Sequence, residues 1–369
     1  MSDQRTVHVG LSHAPYDITI FTGDSPERAS EVVRHVLAGL QPLTHLVVIT
    51  DDNVRSPHAD RLAEIATHDI ERVDVISVPA GEATKCTSQL TTLWQQMLDL
   101  GAERQTAVAA VGGGVVGDLA GFVAASYGRG IRFIQVPTTL LAHVDSSVGG
   151  KVGINLPGAK NMVGAFWQPA AVLIDTATLS TLPDREFCSG LAEVVKYGVI
   201  MDEPFFEFLA QNVAEIMARD PAVLRHVVAR CCELKAEVVE EDETETTGRR
   251  AILNYGHTFA HGFEAVGGYG TLLHGEAVSL GMVCASRLAE SRELVPQGFT
   301  ERQVQLLRAF DLPTQTPDYD PQDLLAAMQR DKKAEHGKLR FILPDGGMGK
   351  MLFVSDIPDE QVLAALSAT

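Results

Sequence analysis

The sequence predicts an α/β N-terminal domain with a mostly parallel sheet, followed by a mainly α-helical C-terminal domain. Two observations predict this organisation. In the first half of the chain, short β-rich apolar runs alternate with helical stretches, which is typical of βαβ units. After about Leu182 the strand runs give way to long helical segments. A length of 369 residues fits two domains, and we place them at residues 1–182 and 183–369.

The elements follow one another along the chain. Short apolar runs predict buried strands, and they lie at 45–50, 73–78, 106–111, 131–137 and 171–175. Helical patterns between them include 88–100 and 117–127. In the second half, helices are predicted over 184–201, 204–219, 221–239, 257–264, 275–294 and 300–309. A Gly-rich turn, DGGMG, joins 338–343 to 350–354 and predicts a small β-hairpin.

Composition and charge exclude several classes of protein. With 48 acidic and 30 basic residues, the net charge of −18 argues against a sequence-independent nucleic-acid binder, although a local basic pocket can still bind a small anion. The longest apolar stretch, 107–117, is too short for a membrane span of roughly 20 residues. No secretory h-region follows Met1, and the five cysteines form no C-x-x-C pair. We therefore expect a cytoplasmic, soluble protein with neither a membrane nor a nucleic-acid partner.

A glycine-rich turn follows the predicted strand at 106–111. Residues 112–118, GGGVVGD, satisfy G-x-G-x-x-G and open the next predicted helix. Glycines there let the backbone approach a pyrophosphate, and a helix N-terminus offers unpaired N–H groups and a partial positive charge. Taken alone, the turn could equally serve tight packing. The absence of G-x-x-x-x-G-K-[ST] argues against a P-loop NTPase.

Polar side chains also follow two other predicted strands. Asp51 and Asn53 come directly after one strand, and Thr138 and Thr139 come directly after another. Ligands of open α/β sheets bind at the carboxyl ends of parallel strands. Each turn by itself could hold ordinary capping residues. Together with the turn at Gly114, they predict a dinucleotide site.

Histidines in the second half suggest a metal site. His257 and His261 lie at i and i+4 on one predicted helix, and His274 opens another. Glu193 lies within a predicted helix among apolar neighbours, where a carboxylate requires a cation partner. Two or three imidazoles with one carboxylate are typical of a catalytic zinc site that keeps a fourth position open. Capping or surface roles for the histidines are the alternative, since H-x-x-x-H is less specific than H-E-x-x-H.

Several cations lie next to polar residues in otherwise apolar surroundings. They are Lys151 near Asn155, Lys160 beside Asn161, Arg250 near Asn254, and the run 330–333. In a chain with a net charge of −18, such cations are candidates for holding a phosphate or a carboxylate. The alternative is that each is simply solvated, as isolated lysines usually are.

Taken in order, these motifs resemble the 3-dehydroquinate synthase family. The matching stretches are PAGEATK (79–85), GGGVVGDLAGF (112–122), QVPTTLLAHVDSSVGGKVGIN (135–155), KNMVGAFWQP (160–169), LPDREFCSGLAEVVKYG (182–198), GRRAILNYGHTF (248–259), LHGEAVSLGM (273–282) and RDKK (330–333). The resemblance spans nearly the whole chain with its spacing intact. It implies an NAD-binding α/β N-terminal domain, a helical C-terminal domain that binds metal and substrate, an active site in the cleft between them, and a homodimer. It also implies NAD and one Zn²⁺ or Co²⁺ per subunit.

The resemblance also implies roles for individual residues. The implied metal ligands are Glu193, His257 and His274, which assigns His261 to the substrate pocket instead. The implied NAD contacts are Asp51, Asn53, Glu82, Lys85, Gly114, Val115, Val116, Gly117, Asp118, Thr138, Thr139, Lys151, Lys160, Thr178, Leu179, Ser180 and Thr181. The implied substrate contacts are Asp145, Lys151, Asn161, Lys196, Lys235, Arg250, Asn254, His261 and either Lys332 or Lys333. Arg129 is similar to the arginine that this family lends to the phosphate site of the partner subunit.

The family reaction implied by the resemblance is the second step of the shikimate pathway. It converts 3-deoxy-D-arabino-heptulosonate 7-phosphate to 3-dehydroquinate and phosphate through transient oxidation by NAD⁺, β-elimination of phosphate, re-reduction, ring opening and an intramolecular aldol reaction. Because NAD⁺ is regenerated, the expected enzyme is a carbon–oxygen lyase. The alternatives are another sugar-phosphate cyclase, a metal-dependent polyol dehydrogenase of the glycerol dehydrogenase type, and a non-catalytic nucleotide-binding protein.

Overall fold

The computed structural model of the chain describes residues 4–157, 159–268, 270–332 and 339–367. It divides into two units, one formed by Met1–Leu182 with Pro221–Thr244 and the other by Pro183–Asp220 with Glu245–Thr369. The first unit contains a mostly parallel sheet, and the second is mainly helical. The predicted fold class is therefore confirmed.

The secondary structure consists of the following elements. The strands are β1 (Gln4–Val9), β2 (Tyr16–Phe21), β3 (His45–Asp51), β4 (Arg72–Val78), β5 (Thr106–Gly112), β6 (Arg132–Pro137), β7 (Lys151–Leu156), β8 (Ala159–Phe166), β9 (Ala171–Asp175), β10 (Arg340–Pro344) and β11 (Met351–Ser355). The helices are α1 (Pro26–Gly39), α2 (Asp60–Ala66), α3 (Thr87–Asp99), α4 (Gly114–Ser126), α5 (Asp184–Ile200), α6 (Glu203–Gln211), α7 (Val213–Met217), α8 (Pro221–Glu241), α9 (His257–Gly267), α10 (His274–Ser291), α11 (Phe299–Ala309), α12 (Pro321–Lys332) and α13 (Asp359–Ser367).

The first unit is organised around a seven-stranded sheet with the strand order β1-β2-β9-β6-β5-β3-β4. Only β1 and β2 pair antiparallel, and all the other neighbours are parallel. β5 is buried along its whole length and β3 along all but its last residue, which explains their continuous apolar runs in the sequence. The edge strand β1 is half exposed and mixes polar with apolar residues, so it gave no clear signal.

Helices cover both faces of this sheet. Successive residues of a strand point to opposite faces, and Val47 and Val48 of β3 accordingly belong to two separate apolar cores. The core that contains Val48 is closed by α1 and α2. The core that contains Val47 is closed by α3, α4 and the hairpin β7–β8. Leu119 of α4 and Val152 of β7 both belong to it. The glycine-rich turn before α4 is thus attached to a fully packed helix.

The helix α8 belongs to the first unit. The sequence places one boundary after Leu182, and the two units also divide there, but Pro221–Thr244 groups with the sheet and not with the other helices. In this unit α8 packs against β1, β2 and the short helical turn Ala142–Ser146. Its buried stripe includes Leu224 and Val228. The apolar period of a helix shows that one face must be buried, but it does not identify the partner.

The second unit is built from long helices with α5 among the most deeply buried. Every residue of α5 from Phe187 to Ile200 is buried, and α10 packs against both α5 and α9. β10 and β11 form the antiparallel hairpin indicated by the DGGMG turn. The segment predicted as one helix over 204–219 consists of α6 and α7, which are separated at Asn212. In the part of the chain that the structure describes, no helix combines the length and apolarity needed to cross a bilayer.

Replacing Leu119 with Ala should lower the free energy of unfolding by about 2–5 kcal/mol, because it removes a fully buried side chain from the core beneath α4. The matched control is Leu98→Ala on α3, where the leucine is 62% exposed and the change should be within about 0.5 kcal/mol. Chemical denaturation followed by circular dichroism measures both. Equal losses in the two variants would contradict the burial of Leu119 in this core.

Candidate metal centre and nucleotide site

The turn between β5 and α4 is shaped to bring the backbone close to an anion. α4 begins at Gly114, and its N-cap residue, Gly113, makes no side-chain cap hydrogen bond. A Cβ atom on Gly114 would lie 3.1 Å from Ser146 Oγ, and one on Gly112 would lie 2.7 Å from Val116 Cγ2. Glycine is therefore required for the close packing of this turn, and the first N–H groups of α4 provide the partial positive charge of a helix N-terminus.

A polar network surrounds the buried side chain of Lys85 next to this turn. The Lys85 side chain is 4% exposed, and its Nζ donates to Asp118 Oδ2 at 2.6 Å and to Asn161 Oδ1 at 2.7 Å. Asn155 Nδ2 donates to Glu82 Oε1 at 2.7 Å, while Asn155 Oδ1 accepts from the backbone N–H of Asn161 at 2.8 Å. Burial raises the pKa of Asp118, and the Lys85 ammonium opposes this shift. The network joins the turn before α3, the first turns of α4 and the hairpin β7–β8.

The other turns predicted to bind nucleotide follow strands that are neighbours in the sheet. The strand order places β9, β6, β5 and β3 side by side, and the predicted residues follow the ends of these four strands. Asp51 Oδ1 accepts from the backbone N–H of Asn53 at 2.9 Å, which shapes the turn after β3. Thr139 Oγ1 accepts from the backbone N–H of Ala142 at 3.1 Å. Thr138 Oγ1 is buried without a hydrogen-bond partner among the described residues.

A second group of functional side chains meets around Glu193 in the second unit. Glu193 lies on α5 and is 1% exposed, and its Oε2 accepts a hydrogen bond from Lys196 Nζ one helical turn later. Its Oε1 has no hydrogen-bond partner among the described residues. This oxygen lies 3.8 Å from His257 Nε2 and 3.7 Å from His274 Nε2. One ligand atom from each of the three residues lies within 4.8 Å of the others.

This donor set fits a divalent cation. A buried carboxylate oxygen without a partner is costly, and a cation held between it and two imidazoles would satisfy it. Carboxylate with two histidines is one of the ligand sets of catalytic zinc, which leaves a fourth position for water or substrate. Within the residues that the structure describes, Glu193, His257 and His274 could therefore hold a metal ion.

The other nitrogen of each imidazole is also oriented. His257 Nδ1 donates to the backbone carbonyl of Tyr255 at 3.1 Å, and His274 Nδ1 lies 3.6 Å from Glu264 Oε1. Such outer contacts fix the tautomer of a ligand histidine and the direction of its free nitrogen. Burial, followed by the charge of Lys196, lowers the pKa of His257 well below its ordinary value. Burial also lowers the pKa of His274, but Glu264 and Glu193 outweigh it and the net pKa is raised.

Two close helix contacts set the positions of the histidines. A Cβ on Gly275 would lie 1.8 Å from the carbonyl oxygen of Ser189, so α10 begins in backbone contact with α5. A Cβ on Gly281 would lie 2.1 Å from the carbonyl oxygen of Gly256, so α10 also touches the residue that precedes α9. Because His274 begins α10 and His257 begins α9, these contacts hold both imidazoles near Glu193.

The remaining predicted residues divide between the two units. In the first unit, Lys235 Nζ donates to Asp145 Oδ1 at 2.7 Å, whereas Lys151, Lys160, Asn161 and Arg129 are exposed. In the second unit, Lys196 and Arg250 are buried, Asn254 and His261 are exposed, and Arg250 Nε lies 3.7 Å from Glu245 Oε1.

These positions bear on three details of the sequence interpretation: one candidate metal ligand, one residue that was not predicted, and one pair of lysines. His261 is the alternative ligand suggested by the i, i+4 spacing, but its ring centroid lies 6.1 Å from that of His257 and it is not part of the three-residue group. The sequence interpretation did not identify Glu264 as a contact of a ligand histidine, although it lies seven residues after His257 on the same helix face. Of the two lysine candidates, Lys332 is the last residue of α12 and Lys333 lies outside the described residues.

Comparisons with known proteins agree along nearly the whole chain. Residues 75–189 match the family model described as 3-dehydroquinate synthase N-terminal, and residues 190–334 match the one described as 3-dehydroquinate synthase C-terminal. The 3-dehydroquinate synthase of Rhodopirellula baltica is 52% identical and the alignment covers 99% of this chain and 97% of that protein. The 3-dehydroquinate synthase of Desulforamulus reducens is 47% identical over 98% of this chain and 99% of that protein.

The chain is also similar to solved structures of lower sequence identity. The 2-epi-5-epi-valiolone synthase of Streptomyces hygroscopicus, solved with NAD⁺ and Zn²⁺ bound, has a TM-score of 0.85 and 28% identity over 97% of each chain. A 2-deoxy-scyllo-inosose synthase complexed with carbaglucose-6-phosphate, NAD⁺ and Co²⁺ has a TM-score of 0.87 and 27% identity over 98% of this chain and 99% of that one. The glycerol dehydrogenase of Schizosaccharomyces pombe, at 19% identity and a TM-score of 0.63 over 91% of this chain and 86% of that one, shares the fold alone.

Replacing Gly275 with Ala should weaken metal binding by at least about tenfold, because the new methyl group forces α10, and with it His274, away from α5. The matched control is Gly347→Ala, since a Cβ there would meet no atom within 4 Å. Competition with a chromophoric zinc chelator measures the affinity of both variants. A Gly275→Ala protein that holds zinc as tightly as the control would show that the α5–α10 contact does not position His274.

Proposed function

The chain belongs to the 3-dehydroquinate synthase family, and on this premise we propose that it converts 3-deoxy-D-arabino-heptulosonate 7-phosphate to 3-dehydroquinate and phosphate. It is then a carbon–oxygen lyase of the shikimate pathway that uses NAD together with Zn²⁺ or Co²⁺. The observation that carries the proposal is the Glu193 carboxylate oxygen that faces His257 Nε2 and His274 Nε2. This ligand set is expected of an enzyme that polarises an oxygen of its substrate and has no purpose in a simple nucleotide binder.

We assign the metal to Glu193, His257 and His274. When bound, it would supply Lewis-acid polarisation of the oxygen on the substrate carbon that is oxidised and then reduced. Lys196 donates a hydrogen bond to the other oxygen of Glu193, which orients the buried carboxyl group. Tyr255 and Glu264 hold the outer nitrogens of the two histidines, so that both Nε2 atoms point to the same place.

We assign NAD to the turns after β3, β5, β6 and β9 and to the Lys85 network. NAD⁺ supplies a hydride acceptor that is restored in each turnover, so that no net oxidation occurs. The N–H groups at the start of α4 bind the pyrophosphate, and Asp51 with Asn53 suits the hydroxyl groups of a ribose. The exposed Lys160 and the residues 178–181 complete the proposed contacts.

The proposed substrate residues bind the anionic groups and move protons. Lys151, Asn161, Arg250 and Asn254 offer cations and amide groups of the kind that bind phosphate and carboxylate oxygens. We propose that Asp145 accepts a proton during the elimination, since Lys235 Nζ lies 2.7 Å from Asp145 Oδ1 and fixes the position of this carboxyl group.

A second candidate is another sugar-phosphate cyclase, because two such enzymes share the fold with TM-scores of 0.85 and 0.87. Their identities of 28% and 27% are well below the 52% of the curated 3-dehydroquinate synthase. A polyol dehydrogenase shares only the fold. These enzymes differ in what becomes of NAD⁺ and in which sugar phosphate they accept.

The purified protein should release phosphate from 3-deoxy-D-arabino-heptulosonate 7-phosphate when NAD⁺ and Zn²⁺ are present, with NADH absorbance recorded in the same cuvette. Phosphate should accumulate far beyond the amount of enzyme while NADH does not, because the hydride returns to the substrate in each cycle. The product should be 3-dehydroquinate by mass spectrometry. Stoichiometric NADH would indicate a dehydrogenase, and phosphate release from a different sugar phosphate alone would indicate another cyclase.

We further propose that the enzyme is a cytoplasmic homodimer in which Arg129 serves the phosphate site of the partner subunit. Arg129 is exposed and adopts a φ of 68°, an uncommon conformation for a residue with a side chain. Refolding an equal mixture of Arg129→Ala and Lys151→Ala protomers should restore about a quarter of the wild-type activity, because half of the dimers then contain one intact site. The control is each variant refolded alone. A mixture as inactive as its components would overturn the shared site.

A further inference from the structure

His143 lies where two of the proposed nucleotide-binding turns meet. It belongs to the short helical turn Ala142–Ser146, and its side chain is 0% exposed. Its Nε2 lies 2.9 Å from the carbonyl oxygen of Pro137 and 3.4 Å from Thr178 Oγ1. Its own backbone N–H donates to the carbonyl oxygen of Thr139 at 2.9 Å. One side chain thus contacts the turn after β6 and the turn after β9.

The hydrogen bonds determine which nitrogen of His143 carries the proton. A carbonyl oxygen can only accept, so Pro137 requires a proton on Nε2. Thr178 donates its hydroxyl proton to the carbonyl oxygen of Asp175 at 2.8 Å, so it also accepts from Nε2. Nδ1 then carries a lone pair, and it has no partner among the described residues. Burial lowers the pKa of His143 to about 4, so the imidazole is neutral at physiological pH.

The sheet itself does not provide this connection. Between β6 and β9 the described register pairs only Ile134 with Ala171 and Gln135 with Val172. At the other side of β6, the backbone N–H of Thr138 donates to the carbonyl oxygen of Gly112 at 3.0 Å, which ties the turn to β5. The pairing of β6 with β9 thus ends at Gln135 and Val172, and beyond it the imidazole of His143 connects the turns that follow the two strands.

We propose that His143 is a positioning residue for the dinucleotide, whose Nε2–H holds the turn 137–139 and the turn Thr176–Thr181 at the spacing that NAD⁺ requires. The inference rests on the proposed function, which assigns both turns to NAD. His143 acts through Thr138, Thr139 and Thr178 and does not itself touch the reacting atoms. A side chain of similar size that still donates a hydrogen bond can replace it, whereas an apolar one cannot.

The test compares His143→Leu with His143→Gln in the metal-loaded enzyme. The leucine removes the donor and leaves a buried carbonyl unpaired, so the Kd of NAD⁺ by calorimetry and the KM for NAD⁺ should rise about tenfold. kcat at saturating NAD⁺ and the metal content should stay near the wild-type values. The glutamine amide can donate to the same carbonyl oxygen and should restore the Kd to within about threefold of wild type.

The packing control is Val148→Ala, which removes buried side-chain volume five residues along the chain without removing a donor. It should leave the Kd of NAD⁺ near the wild-type value. Equal weakening in the leucine, glutamine and alanine variants would overturn the positioning role and leave only packing. An unchanged Kd in His143→Leu would overturn it as well. Neither result would affect the proposed function, which stands or falls with phosphate release by the wild-type enzyme.

A measurement on the wild-type protein tests the tautomer without relying on the NAD⁺ affinity of a variant. Long-range ¹H–¹⁵N spectra of the histidine rings, with the His143 signal assigned by its loss in His143→Gln, report the tautomer directly. The expected result is a neutral Nε2–H ring that does not titrate between about pH 8 and pH 6. A ring protonated on Nδ1 alone could not donate to Pro137 or Thr178 and would overturn the proposal.

Discussion

The second unit depends on one buried carboxylate. The carboxyl group of Glu193 is buried, an arrangement that costs free energy unless both oxygens have partners. Lys196 compensates one oxygen, and the other is directed at two imidazole nitrogens. The glycine contacts of α10 with α5 and with Gly256 bring those imidazoles close enough. The helix packing and the donor set are therefore coupled, because the contacts that pack α10 also position the two imidazoles.

The proposed nucleotide site of the first unit is built from backbone turns and not from a buried charged group. Its proposed site consists of turns at the ends of four neighbouring strands, where backbone N–H groups and small side chains are available. Glycines allow the close approach, and the Lys85 network fixes the turn against the hairpin β7–β8. His143 adds the only described imidazole bridge between the ends of β6 and β9. A site of this kind suits a long dinucleotide, because many weak and evenly spaced contacts hold it along its length.

Buried cations reconcile the acidic composition with an anionic substrate. The chain has a net charge of −18, yet Lys85, Lys196, Lys235 and Arg250 are each at most 5% exposed. Each of the four lies near one carboxylate. In the same order, these carboxylates are Asp118, Glu193, Asp145 and Glu245. Buried basic side chains therefore concentrate at particular sites, while the chain as a whole stays negative. The overall charge of the chain carries no information about such sites.

By itself the sequence determined the fold class, the glycine-rich turn and the types of residue at both sites. These features are local: alternating strand and helix patterns, a strand-to-helix turn, and histidines near helix starts can all be identified within a few residues. The resemblance added the choice of His274 over His261, and only the tertiary structure decided that α8 joins the sheet and that Glu264 and His143 contact their partners. Each of these depends on which helices and turns meet across long separations in sequence, and a local pattern shows that a face must be buried without showing against what.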